Sequence, residues 1–252
     1  MTTVVLLHGQ PGAAADWDPV LPLLAGLDVV TPTRPGYDGT PAGGFGVNAA
    51  AVLRCLDERG TAQAVLVGHS WGGGVALRVA LDAPNRVSAL ALIGSIGSRK
   101  ALTLTERLLA APLLRGWSAR AADRLGAHIA WMAEGASGSR LQPQAREALR
   151  LRLRELDRTA WTAYAVEQQA FVHEAPALAR QLGKISIPAV VAIGSRDIIV
   201  SARAQRDLAE QLPWSERIEH RGGHLVQLEN PDLVAQTVLR AVELSRRGSA
   251  RT

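Results

Sequence analysis

Residues 68–72 read Gly-His-Ser-Trp-Gly, a serine flanked at two positions on either side by glycine, and Gly73 and Gly74 follow. A serine hydroxyl is a weak nucleophile at neutral pH and attacks a carbonyl when an adjacent base takes its proton. That chemistry asks for a histidine, a carboxylate that holds the histidine, and N–H donors for the developing oxyanion. Downstream of Ser70 the histidines are His128, His173, His220 and His224. His128 and His173 fall in a helical stretch and read as surface or packing residues. His220 sits inside a short strand pattern, "SERIEH". His224 follows "RGG" just beyond that strand and is the favoured base, because reach decides a general base before its pKa does. Asp197, in "AIGSRDIIV", directly follows an apolar strand and is the candidate orienting acid. A turn aspartate is the ordinary alternative at such a place. No acid follows the strand "VSALALIGS".

The elements that must position these groups are legible in the hydrophobic pattern. "TVVLLH", "DVVTP", "AVLVGH", "VSALALIGS" and "IPAVVAIGS" are short apolar or β-branched runs, and "SERIEH" is a sixth strand. Helical patterns alternate with them: "DWDPVLPLLAG" with Asp16 as its cap, Val47–Gly60, Trp71–Leu81, Ser201–Leu212 and Pro231–Ser245. Alternation of this kind predicts an α/β fold, a mostly parallel six-stranded sheet flanked by helices. Between residues 98 and 184 the strand signal stops. Helices are expected at Leu102–Leu114, Ala119–Ala133, Gln144–Leu156, Ala160–Val172 and Pro176–Leu182. The expected organisation is a core of residues 1–97 and 185–252 with an all-helical cap, 98–184, inserted between the fourth and fifth strands. A G-x-S-x-G match alone is weak evidence, with a chance occurrence on the order of 0.1 at this composition. A strand before it and a helix after it make it a nucleophile elbow. Small residues at 68 and 72 let that strand and helix approach closely, and the first amides of the helix, Trp71 foremost, face the charge that develops at Ser70. A second donor is expected from the loop after the first strand, "HGQPG", with the Gln10 amide as the candidate and Gly9 allowing the loop close to the serine.

Composition narrows the remaining classes. The 252 residues carry a net charge of +5, and the lysines are Lys100 and Lys184, so the positive charge is arginine spread along the chain. No zinc-finger, RRM or basic-zipper pattern accompanies it, and nucleic-acid binding is not expected. No apolar run approaches the roughly 20 residues of a membrane span, and stable membrane insertion is not expected. "MTTVVLLHG" lacks a basic start, and Cys55 stands alone, which predicts a cytoplasmic protein without disulfide, metal or cofactor. The helix "QPQAREALRLRLRELDR" is basic and amphipathic; a solvated helix is the commoner reading, a membrane surface or an acidic substrate the rarer one.

The pieces "HGQPG", "RPGYDGT", "GHSWGG", "GSRD" and "GGHLVQLENP" together resemble the α/β-hydrolase family, in order and spacing, over nearly the whole chain. The resemblance implies a Ser70–His224–Asp197 triad and oxyanion amides at Gln10 and Trp71. Two departures stand out: two strands that the family carries before the HG-bearing strand are missing, which would make "DVVTP" an edge, and Asp38 stands where the family turn often has glycine. Dehalogenases and most epoxide hydrolases of the family use aspartate where this chain has Ser70, so serine implies attack on a carbonyl. The expected activity is hydrolysis of a carboxylic ester, thioester or lactone of a medium-sized, mainly apolar small molecule. The alternatives are a lyase or cofactor-free perhydrolase on the same triad, or a ligand receptor that turns over slowly. Substrate contact is assigned to Trp71, Trp131 and Trp161, although core packing is the commoner role for Trp161, Tyr164 and Phe171 at their helical spacing. The expected edge strand leaves monomer and homodimer both open.

Overall fold

A computed structural model describes residues 1–102, 143, 146, 147, 149, 151 and 156–249. Six parallel strands form one sheet in the order β2-β1-β3-β4-β5-β6. They are β1 (Thr3–Leu7), β2 (Asp28–Val30), β3 (Ala64–His69), β4 (Val87–Ile93), β5 (Ala189–Gly194) and β6 (Ser215–His220). The helices among the described residues are α1 (Phe45–Glu58), α2 (Trp71–Asp82), α3 (Arg158–Ala179), α4 (Ala202–Gln211), α5 (Val226–Glu229) and α6 (Pro231–Ser249). This is the architecture the alternating pattern predicts, with β2 at one edge and β6 at the other. The central strands are apolar on both faces because helices cover both. Side chains alternate between two cores, as period-two geometry requires. Val5, Leu7, Leu66, Leu90 and Val191 face the layer of α1, α2 and α4. Val4, Leu6, Val65, Val67 and Ile93 face Trp17, Val20 and the Val234–Val238 stripe of α6.

Strand order reverses between β1 and β3, which are paired neighbours whose following segments run to opposite sides. Such a switch point opens a crevice at the C-terminal ends of the strands. The loop after β1 and the turn after β3 are the ones that carry Gly9 and Ser70.

Three expected helices differ. "DWDPVLPLLAG" forms two single 3₁₀ turns, Ala14–Trp17 and Leu21–Leu24, instead of one helix. Pro19 and Pro22 each lack the N–H that a continuous helix would need at their positions, which breaks the run into two turns. Asp16 still accepts a bond from the Ala13 amide at 3.0 Å. The expected pair Ala160–Val172 and Pro176–Leu182 is instead the single helix α3, which continues through Pro176. An interior proline costs about 3 kcal/mol. Burial of Phe171, Ala175 and Leu178 along one stripe offsets it, since each large apolar side chain contributes about 1.5–3 kcal/mol. Glu174 of the same helix accepts from the Phe45 amide at 2.9 Å and so caps α1. The expected helices at 102–114, 119–133 and 144–156, with His128 and Trp131, lie outside the described residues, apart from residue 102 and scattered positions of the last.

Candidate active site

Ser70 sits between the last residue of β3 and the first of α2 with φ 52° and ψ −118°, the one non-glycine residue of positive φ among those described. A backbone of this kind costs on the order of 1–3 kcal/mol and persists only where surrounding structure holds it. The hold is visible on both sides. The Ser70 amide donates to Ile93 O at 3.1 Å, and Ser70 O accepts from the amides of Gly73 and Ile96 at 3.1 and 3.2 Å. A Cβ on Gly72 would lie 2.6 Å from His8 O, so glycine is what lets α2 start against the end of β1.

His224 reaches this serine from the loop after β6. Its Nε2 is 2.9 Å from Ser70 Oγ, and its Nδ1 is 2.8 Å from Asp197 Oδ2. The three side chains belong to three loops at one end of the sheet. Asp197 is itself tightly held: Oδ1 accepts from the amides of Ile199 and Val200, both at 2.9 Å, and Oδ2 also accepts from Gln205 Nε2 at 2.9 Å. Acceptance of an N–H by Oδ2 leaves Nδ1 of His224 as the protonated nitrogen and Nε2 free to receive the Ser70 proton. His220 is elsewhere engaged, its Nδ1 accepting from the Gly222 amide at 3.0 Å.

His69, beside the nucleophile, is a residue the sequence reading did not single out. Its Nε2 donates to the backbone carbonyl of His224 at 2.8 Å, which fixes the His224 loop from behind. Burial, followed by the neighbouring His224, lowers its pKa from 6.5 to about 3, so His69 is neutral and purely structural at ordinary pH.

The loop after β1 lies against Ser70. A Cβ on Gly9 would come within 3.2 Å of Ser70 Cβ, the close approach expected of that glycine. Behind the loop is a buried network that sequence reasoning missed. Arg34 is 2% exposed, and each of its five side-chain N–H groups has an acceptor. Nε donates to His8 O at 3.0 Å, Nη2 to Gly9 O at 2.7 Å and Nη1 to Asn48 Oδ1 at 3.2 Å. Nη1 and Nη2 also meet the carboxylate of Glu167, fully buried on α3. Tyr37 donates its hydroxyl to the same carboxylate at 2.8 Å. Burial pushes Glu167 upward in pKa, with Arg34 opposing. A signal for Glu167 did exist: it lies at helical spacing between Tyr164 and Phe171, an acid within a buried stripe, and such an acid needs a buried cation.

Trp71 is 1% exposed, its ring tilted on Phe45 at 4.8 Å between centroids and covered by the Arg34 guanidinium at 4.6 Å. Its surface is therefore taken up mainly by protein. Trp161 is buried and meets Tyr164 edge-on, with centroids 6.0 Å apart. Gln10 Oε1 and Trp71 Nε1 are buried without a protein hydrogen-bond partner among the described residues. Asp38, where the family turn often has glycine, closes an Asx turn by accepting from the Thr40 amide at 2.9 Å.

Residues 2–231 match the alpha/beta hydrolase fold family. The chain belongs to it. In Klebsiella pneumoniae, RutD, a protein named for carbamate hydrolysis, is 31% identical over 209 residues, 79% of this chain and 73% of that one. The pimeloyl-[acyl-carrier protein] methyl ester esterase of Aromatoleum aromaticum is 43% identical over 95 residues, 36% of each chain. The chain spans 27% and 36% of the lengths of its first two curated relatives. Among solved structures, the 2-hydroxy-6-oxo-6-phenylhexa-2,4-dienoate hydrolase of a Rhodococcus strain superposes with a TM-score of 0.79 at 25% identity, over 96% of this chain and 90% of that one. Among the described residues no helix is long and apolar enough to cross a membrane.

Proposed function

We propose that the chain is a serine hydrolase that cleaves a carboxylic ester, thioester or lactone of a medium-sized, mainly apolar small molecule. One observation carries the reading: a single imidazole, His224, bridges Ser70 Oγ at 2.9 Å and Asp197 Oδ2 at 2.8 Å. That is the arrangement a hydroxyl needs to act as a nucleophile. In this mechanism His224 Nε2 takes the Ser70 proton as Oγ attacks the carbonyl carbon. The tetrahedral oxyanion accepts N–H bonds from Trp71, the first residue of α2 and so without an intrahelical partner, and from Gln10. Collapse breaks the bond to the leaving group, which takes the proton from Nε2. Water, deprotonated by His224, then attacks the acyl carbon, and collapse breaks the bond to Oγ, which takes the proton back from Nε2 as the acid is released. Asp197 holds the imidazole in one tautomer by accepting from Nδ1. Relatives named for a methyl ester and for a carbamate support attack on a carbonyl. Residues 98–184 are read as the cap over this site, with Trp131 and Trp161 as substrate contacts; the Trp71 ring, packed against Phe45 and Arg34, leaves its backbone amide as its contribution. The core is 1–97 and 185–252.

The test is turnover of short and medium p-nitrophenyl esters by the intact chain and by Ser70→Ala, with mass spectrometry of a fluorophosphonate adduct. The expected result is turnover lost in the variant and a single adduct on Ser70. Labelling without turnover would instead favour a lyase or receptor, and turnover that survives Ser70→Ala would refute the assignment.

A further inference from the structure

We infer that Arg34, held by Glu167 of α3, is a positioning residue that aims the Gln10 amide at the oxyanion. The inference rests on the reading of Ser70 and its oxyanion amides given above.

The argument begins with peptide geometry. A trans peptide unit is planar, and its C=O and N–H point in opposite directions. The Gly9–Gln10 peptide is trans; the cis bond is the next one, Gln10–Pro11. Fixing the Gly9 carbonyl therefore fixes the direction of the Gln10 N–H. That carbonyl is held twice from one side, by Arg34 Nη2 at 2.7 Å and by His8 Nδ1 at 2.9 Å. His8 is oriented for this in turn, because its Nε2 accepts the Arg34 backbone amide at 3.0 Å. Arg34 Nε takes the preceding carbonyl, His8 O, at 3.0 Å. Two consecutive carbonyls are thus gripped by one planar guanidinium, which a point-charge side chain cannot reproduce. Gly9 also borders Ser70, so the loop lies between the guanidinium and the nucleophile. With the Gly9 oxygen drawn toward Arg34, the Gln10 N–H turns away from it.

Glu167 gives the device its reach. It stands 133 residues from Arg34 in sequence, in the segment between β4 and β5, and meets both terminal nitrogens of the guanidinium. Tyr37 and Asn48 complete the enclosure. The guanidinium fork is therefore set by α3 on one side and read by the oxyanion loop on the other. This makes the aim of one oxyanion donor depend on how α3 is seated on the sheet domain.

The experiment follows phosphonylation of Ser70 by a fluorophosphonate, which needs the same nucleophile, base and oxyanion donors and no knowledge of the substrate. Three proteins are compared: the natural chain, Arg34→Met, and Arg34→Met/Glu167→Gln. The single variant leaves a buried carboxylate unpaired and is expected to lose thermal stability. The double variant removes both charges, keeps an acceptor for Tyr37, and is expected to melt near the natural chain. Its maximal labelling rate should still fall about 10- to 100-fold with the inhibitor's binding constant unchanged within about twofold, somewhat below the about 10²–10³-fold lost when an oxyanion donor is removed outright. Recovery of the rate along with stability in the double variant would make the pair merely structural and overturn the inference. A weaker binding constant at an unchanged maximal rate would overturn it as well. If the natural chain itself is not labelled at Ser70, the assignment of the site fails, and the inference with it.

Discussion

Asp197→Asn tests the site most sharply, because the surroundings of Asp197 leave the amide no comfortable orientation. The carboxylate accepts four N–H bonds: two from backbone amides on Oδ1, and Gln205 Nε2 and His224 Nδ1 on Oδ2. Asparagine offers one oxygen and one NH₂. With its oxygen toward Ile199 and Val200, the NH₂ confronts the donors of Gln205 and His224. Turned over, it confronts two backbone amides that have no freedom to respond. Gln205 is fixed too, since its Oε1 accepts from the Gly194 amide at 3.0 Å and its Nε2 also reaches Val200 O at 2.6 Å. His224 can adapt, by moving its proton from Nδ1 to Nε2. The first orientation therefore prevails, and the imidazole then presents N–H, not a lone pair, to Ser70 Oγ. A wrong tautomer in a triad of this kind lowers kcat about 10⁴-fold, or about 5.4 kcal/mol of barrier. The assay is kcat with p-nitrophenyl butyrate at neutral pH, alongside the fluorophosphonate labelling rate and the melting temperature. A folded Asp197→Asn within about tenfold of the natural rate would refute the argument that Asp197 sets the tautomer of the base.

Two further outcomes follow from packing and protonation. Gly72→Ala would bring a Cβ to 2.6 Å from His8 O and 2.8 Å from the Leu7 carbonyl carbon, both backbone atoms that cannot rotate aside. A loss of about 2–3 kcal/mol, or about 4–12 °C in melting temperature, is expected by differential scanning calorimetry, and a melting point equal to that of the natural chain would contradict it. His69, with its folded pKa lowered to about 3 against about 6.5 unfolded, makes the unfolded chain bind more protons between those values. Stability from this group is therefore present above pH 6.5 and lost as pH falls toward 3, by about 1.4 kcal/mol per pH unit. His8 is lowered in the same direction and Glu167 raised, so the clean measurement is the difference between the natural chain and His69→Gln in urea unfolding at pH 4 to 6. Parallel pH dependences for the two proteins would show that His69 is not held neutral by the fold.

The residues brought together at Ser70 were readable because each is attached to a short local motif at a strand end. A strand run followed by G-x-S-x-G, an apolar run followed by Asp197, and "RGG" before His224 each announce a loop at the C-terminal edge of a parallel sheet, and a sheet of one polarity puts all such loops on one rim. Backbone rules carried the inference from residue to place. Arg34 had no such announcement. It stands in "RPGYDGT", which reads correctly as a turn, and nothing in a turn says that its side chain runs inward to two carbonyls and a carboxylate from a helix 133 residues away. The local rules failed for the same reason at α3: Pro176 argues for a break, and only the burial of Phe171, Ala175 and Leu178 and the Glu174 cap on α1 decide for continuity. Both of these involve one helix, since α3 carries Pro176 and also Glu167, the carboxylate that meets Arg34. Its sequence is a compromise among demands set by the sheet domain: a carboxylate for Arg34, a second for the start of α1, and small residues such as Ala163, which lies 2.8 Å from where a Cβ on Gly36 would stand. A helix whose residues answer to partners on another part of the chain is legible only once those partners are in place, and α3 is tied through Arg34 to the loop after β1 by the same contacts that hid it.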